Sequence, residues 1–271
     1  MNKNQWLAAG ATAVLAIGIY LFAGTTKPKG AEMPGMQTAA RETQPEYDFS
    51  AYLSKVNAPL DKDTAALVNA LQNAAKFDEL AAVYHRKGES IAEAFYLEKS
   101  ARAARDPKAL LHAGELYSAT AGISQNNDLT AFLKTKAVET LSTVVEWDSA
   151  NTDNRILLAT AYLDQGSEPM KGVGMLLEIV RKDSNNADAQ LMLGKFGLVS
   201  GQYQKAIARL EKVVYLRPRD QDALFLLATA YQENGEKQKA LDALYKCEKL
   251  VTKPELKKEI QAFIADIKSR S

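Results

Sequence analysis

The stretch Leu191–Pro218 (LMLGKFGLVSGQYQKAIARLEKVVYLRP) constrains the whole chain, because its pattern returns 34 residues later. Leu193-Gly194 lines up with Leu227-Ala228, Gly201 with Gly235, Ala206 with Ala240, Leu210 with Leu244 and Val213 with Cys247. LLATAY occurs identically at Leu157–Tyr162 and Leu226–Tyr231. A fixed period of this size marks stacked helix pairs: one pair cannot bury its apolar face alone, and successive copies bury it against each other. The spacing therefore predicts an all-α solenoid.

Traced outward, the pattern gives about five pairs with flanking helices. The first spans Phe77–Lys87 and Ser90–Ala104, with Gly88 in the turn and Ser90 and Glu93 spaced as a capping box. The second opens at Leu110–Ser118. Its Tyr117 and Ala137 lie 20 residues apart, against nine for Tyr231 and Ala240, so an insertion of about 11 residues falls within 118–136. It makes a longer turn or extended helix ends, and is either inert or functional. The third pair covers Arg155–Asp164 and Met170–Lys182. Gly172 and Gly174 stand there where alanine is usual, which predicts the weakest helix of the array, by up to ~1 kcal/mol per glycine. Pro254–Ser269 closes the array with Leu256, Ile260, Phe263, Ile264 and Ile267 on one face and charges on the other. Upstream, Asp61 or Asp63 can cap an amphipathic helix carrying Leu67, Ala70, Leu71 and Ala74. The solenoid domain is set at 61–271, with a C-terminal capping helix.

The N-terminus reads differently. No charged residue lies between Lys3 and Lys27, and the 18 residues Trp6–Ala23 span about 27 Å as a helix, near the thickness of a bilayer's hydrocarbon core. Trp6 and Tyr20 fall near its ends, where amphipathic rings prefer to sit. No small-x-small site or lipobox cysteine follows, so the segment is expected to stay as a single transmembrane signal anchor, 5–24, behind a short tail, 1–4. Residues 25–60 form a linker with Pro28 and Pro34 and no periodicity, although Phe49, Tyr52, Leu53 and Val56 sit at helical spacing. They make a short docked helix or a loosely ordered peptide. The flanking lysines barely discriminate orientation, whereas the four-residue tail favours an exported domain. The expectation is a single-pass inner-membrane protein with its solenoid in the periplasm, a cytoplasmic orientation remaining open.

With 34 Lys plus Arg against 33 Asp plus Glu, the net charge of +1 gives no reason to invoke nucleic acid. The single Cys247 excludes an intramolecular disulfide framework, and it shares a column with Val213 and Val144, as a packed hydrophobe would. His85 and His112 lack an H-E-x-x-H context, no G-x-S-x-G is present, and Gly172-Val173-Gly174 lacks the continuation of a phosphate loop. No catalytic residue, cofactor or metal site is expected, and an enzyme is not. Basic residues are in excess over Arg181–Arg219, which suits acidic lipid or an acidic partner.

These residues resemble the tetratricopeptide repeat (TPR). The likeness rests on Leu193, Gly194, Gly201, Tyr203, Ala206 and Pro218, then Leu227, Ala228, Tyr231, Gly235, Ala240 and Pro254; Gly197 departs from the usual Tyr, and the first two units match loosely. The resemblance implies a superhelix whose first helices line a concave groove. That groove should receive Ile156, Leu163 and Asp164, then Leu191, Leu198 and Val199, then Phe225, Gln232 and Glu233. Ile156, Leu191 and Phe225 would form an apolar row, suited to an apolar peptide or amphipathic helix rather than a terminal carboxylate. Otherwise the row packs against the chain's own 47–56 segment. In architecture the chain looks like bacterial envelope proteins with one anchor helix and a periplasmic TPR domain. Two functions compete: a membrane-tethered interaction scaffold contacting the lipid bilayer through 5–24, and a self-assembling structural protein, a homo-oligomer.

Overall fold

The computed structural model describes residues 47–269. The expected tail, signal anchor and most of the linker lie outside the described residues. None of the described helices is long and apolar enough to cross a membrane. Among the described residues thirteen helices follow in order: α1 Phe49–Asn57, α2 Lys62–Asn73, α3 Phe77–Lys87, α4 Ser90–Ala104, α5 Pro107–Ile123, α6 Asn127–Trp147, α7 Thr152–Gln165, α8 Pro169–Lys182, α9 Ala187–Val199, α10 Tyr203–Leu216, α11 Gln221–Glu233, α12 Lys237–Leu250 and α13 Pro254–Ser269. Each of α2–α13 packs chiefly on its chain neighbours, and α7, α9 and α11 also touch one another in sequence, as stacked helix pairs require.

The starts of the helices alternate in a way that fits the repeat. The first helix of each later pair is capped by Asp106, Asn151, Asn186 or Asp220, whose side chain accepts the amide of the residue three further on. These caps lie 45, 35 and 34 residues apart, the first interval being the period plus the insertion. The second helices α4, α8, α10 and α12 begin without a side-chain cap. The capping box expected at Ser90 does not form. Ser90 is already inside α4, and Glu93 turns across to His85, Oε1 lying 2.8 Å from Nδ1. At α2 the expected cap is Asp61, which accepts from the amide and hydroxyl of Thr64 at 2.9 and 2.6 Å. Those bonds hold its carboxyl down at about 2.

Small residues let the helices cross closely. Ala94, Ala206 and Ala240 are fully buried; Ala94 packs in one cluster with Tyr117 of the following pair, and Ala206 faces Gly197 across its own pair, where an added methyl group would come within 3.1 Å. A side chain at Gly194 would meet Leu210 at 2.8 Å. Burying a large apolar side chain in such a core contributes roughly 1.5–3 kcal/mol. The insertion of the second pair becomes helix. α5 runs 17 residues and α6 21, and three residues, 124–126, turn between them. At the N-terminal end the compact unit begins at Asp48, inside the range expected as linker, because α1 docks on the first pairs.

Candidate functional site

The first helices α7, α9 and α11 put three corresponding positions side by side, and the expected apolar row is largely consumed by the core. Ile156 is 8% exposed and packs with Val173, Leu176 and Leu193; Leu191 is 9% and Leu198 8% exposed. Phe225 stays half-exposed, its ring 5.7 Å from that of Phe263 on α13. Leu163 is half-buried, and Val199 stands open at 71%. The structure therefore brings Leu163, Val199 and Phe225 toward the surface and withdraws Ile156, Leu191 and Leu198 from it. The reason is physical: an apolar position on a first helix is the natural contact for the next pair, and the stack takes it before a ligand can.

The 47–56 segment does not cover this row. Its Phe49 ring lies 4.5 Å from Phe95 and 5.3 Å from Phe132, on α4 and α6.

The open part of the face is polar. Asp164 at the end of α7 is exposed, yet protein surrounds its carboxyl closely enough that desolvation raises its pKa, while Lys134 and Lys195 pull it back. Asp222 at the start of α11 is raised by the same cause, with Lys195 again opposing and Asp220 adding to the rise. Lys195 on α9 thus serves two carboxylates on the flanking first helices, and neither forms an ion pair with it shorter than 4.0 Å. Gln232 is half-buried and Glu233 exposed at the end of α11; Glu233 accepts a hydrogen bond from the Tyr203 hydroxyl. Sequence reasoning named Asp164, Gln232 and Glu233 for this face, counted Lys195 only within the basic excess over Arg181–Arg219, and missed Asp222. The available signal was a column of acids at the second position of each first helix, Asp153, Asp188 and Asp222. Acids in the first turn of a helix are ordinary, since they favour its N-terminus, so the column does not by itself point to a ligand.

Other candidate groups have settled partners. Arg217 holds Asp188 with two bonds of 2.7 and 2.8 Å, which depresses that carboxyl, and Arg209 donates to Gln190 at 2.9 Å. Two members of the basic excess are thereby committed to neighbouring helices. Cys247 is 1% exposed, its Sγ 3.4 Å from the carbonyl of Gln221, and burial pushes the thiol up to about 12. It packs as its column suggests. His112 is raised chiefly by the hydrogen bond to Glu115 beside it, with Glu93 adding to the effect. Among the described residues no group of three or more His, Cys, Asp or Glu is placed to hold a metal ion.

Comparison with known proteins agrees with this architecture. Residues 156–218 and 198–245 each match a tetratricopeptide repeat family model. Among solved structures, MamA residues 41–end from Desulfovibrio magneticus RS-1 aligns with TM-score 0.51 at 18% identity, covering 65% of this chain and 94% of that one. Another MamA structure gives 0.49 at 20% identity over 64% and 89% of the two chains. YrrB, described as a TPR protein with an unusual peptide-binding site, gives 0.47 at 18% over 74% and 98%. The first of these likenesses supports the fold alone. No curated protein matches the sequence.

Proposed function

We propose that these tetratricopeptide repeats form a protein-interaction scaffold, that the face of α7, α9 and α11 takes a peptide carrying basic and small aliphatic side chains, and that residues 5–24 tether the chain to a membrane, with the repeats on the periplasmic side of a bacterial inner membrane. The observation that carries the binding face is the pair Asp164 and Asp222, held on an open surface where protein shields them and served by one shared Lys195. A carboxyl raised by desolvation binds protons more readily folded than unfolded. Its charged form therefore lowers stability as pH rises past the usual carboxylate range. Groups kept at such a cost on an accessible face are candidates for ligand contact. Leu163, adjacent to Asp164 in the chain, and Val199 at the end of α9 offer the apolar complement. The ligand expected from the sequence, an apolar peptide, is narrowed accordingly, since two of the three residues of the proposed apolar row, Ile156 and Leu191, are buried.

Fluorescence anisotropy with a panel of Val- and Leu-containing peptides that differ only in Lys against Glu tests the face. The Lys peptides are expected to bind. In the full chain with Asp164→Asn and Asp222→Asn their affinity should fall at least tenfold, with stability unchanged or raised. Equal binding of Lys and Glu peptides, or full affinity in the double variant, removes this face.

The tether rests on the uncharged run between Lys3 and Lys27. Full-length protein is expected in the alkali-resistant membrane fraction, and deletion of 5–24 should release it. Release of the intact chain by alkaline carbonate would sink the tether. A reporter fused after Ser271 reads the orientation.

A further inference from the structure

Helix α1 is held unlike any other helix here. It has nine residues, and none of them is buried, whereas each of α2–α13 contributes buried residues to the core. What attaches it is a pattern of side chains along one face. Phe49 sets its ring against Phe95 of α4 at 4.5 Å and Phe132 of α6 at 5.3 Å. One turn on, Leu53 and then Val56 pack on the cluster of Val68, Leu80, Tyr84 and Tyr96. At the far end the Tyr84 hydroxyl donates to Asn57 Oδ1 at 2.8 Å. Asp48 caps the other end, accepting from the amide of Ala51 at 3.0 Å. Anchors at i, i+4 and i+7 on a surface built from several other helices are the geometry by which an amphipathic helix is read in a groove.

The receiving surface is built for an aromatic. Lys99 Nζ stands 4.4 Å from the centre of the Phe95 ring and 5.3 Å from that of Phe77, so the ring that meets Phe49 is already polarised by a cation. Ile91 and Leu129, half-buried, lie in the same apolar cluster as Phe132 and continue the surface along α4 and α6. This surface is distinct from the α7–α11 face and does not depend on the function proposed for it.

We infer that α1 is a resident occupant of a helix-docking site formed by α3, α4 and α6, and that the site accepts from a partner protein an amphipathic helix with α1's own pattern: an aromatic residue followed by aliphatic residues four and seven positions later. A nine-residue helix is marginal by itself, so α1 keeps its form through the dock. Four residues, 58–61, join it to α2, and such a short connection gives it an effective concentration in the millimolar range. A partner helix must outcompete that, so α1 sets the threshold for entry.

The test uses full chains and a labelled peptide spanning residues 47–58. Phe49→Ala with Leu53→Ala removes two of the resident anchors, and because neither residue is fully buried the cooperative melt of the repeats should persist. The peptide is expected to bind this variant at least tenfold more tightly than the wild-type chain, and Phe95→Ala added to the variant should abolish the gain. Absence of binding to the variant, equal affinity for both chains, or binding insensitive to Phe95→Ala would overturn the inference. So would concentration-dependent dimers of the wild-type chain that the peptide dissolves, because the occupant would then be a second copy of the chain.

Discussion

Gly172→Ala is expected to destabilise the protein by about 1–2 kcal/mol, despite replacing the poorer helix former with the best one. A methyl group at this position would land well inside contact distance of the Ala159 carbonyl oxygen, and 3.2 Å from both Leu163 Cγ and Tyr162 Cβ. The first obstacle is backbone, which no rotamer change can move, so α8 must lift away from α7 and give up part of the packing around Leu176 and Ile179. Overpacking of this kind costs about 1–3 kcal/mol and occasionally more. The intrinsic helix preference returns at most about 1 kcal/mol. Gly174, two residues on, is the control. Nothing lies within 4 Å of a methyl group there, beside exposed Met170 and Leu177, so Gly174→Ala should be neutral or stabilise by up to ~1 kcal/mol. Urea denaturation of the two single variants measures the contrast, which should appear as a lower midpoint for one and an unchanged or higher midpoint for the other. Equal midpoints would show that α7 and α8 are not packed as closely as described.

The same two glycines show how far the sequence carries. Both break the usual alanine of a second helix, and from the sequence both look like weaknesses. Their difference is a matter of which side of α8 each occupies relative to the carbonyl of Ala159, and a period of 34 does not encode that. Elements and turns were legible because they depend on local chemistry that repeats: Gly201 and Gly235 in the turns, and Ala206 and Ala240 at the crossings. The binding face was legible only as a set of columns. Ile156 is apolar because it packs on Ala189 and Leu193 of the adjoining pair, Leu191 is buried as well, and Phe225 meets Phe263 from a terminal helix that belongs to no repeat. Asp164 and Lys195 acquire meaning only once α7 and α9 are side by side. The dock of α1 was the least legible of all. Phe49 finds Phe95 and Phe132 across 46 and 83 residues, and no periodicity links them.

Glu98→Ala is expected to be the most damaging single change, at about 3–5 kcal/mol. This carboxylate on α4 is 5% exposed and accepts from Arg102 Nε at 2.9 Å, from the Tyr117 hydroxyl of α5 at 3.0 Å and from Lys136 Nζ of α6 at 2.9 and 3.1 Å. Arg102 reaches on to the Thr143 hydroxyl at 3.1 Å, so one buried anion ties three helices of two successive pairs. Removing it leaves a largely buried ammonium and a fully buried phenol without their acceptor, and uncompensated buried charge is what makes such deletions costly. The partners show the same coupling: burial and the neighbouring carboxylate drive the Tyr117 phenol far above its ordinary pKa. Lys136→Met should recover part of the loss when added to Glu98→Ala, since the orphaned charge is gone and the methionine fills its space. A double-mutant cycle by denaturation reads this directly. If the two changes simply add, the buried pair is not the origin of the cost and the loss belongs to packing. The site of failure is predictable as well. In a stack where each pair touches chiefly its neighbours, weakening one interface uncouples what lies on either side. Glu98→Ala should therefore broaden the melt and expose the amides of α3 and α4 to exchange before those of α9–α12, whereas Gly172→Ala should open the array in its middle.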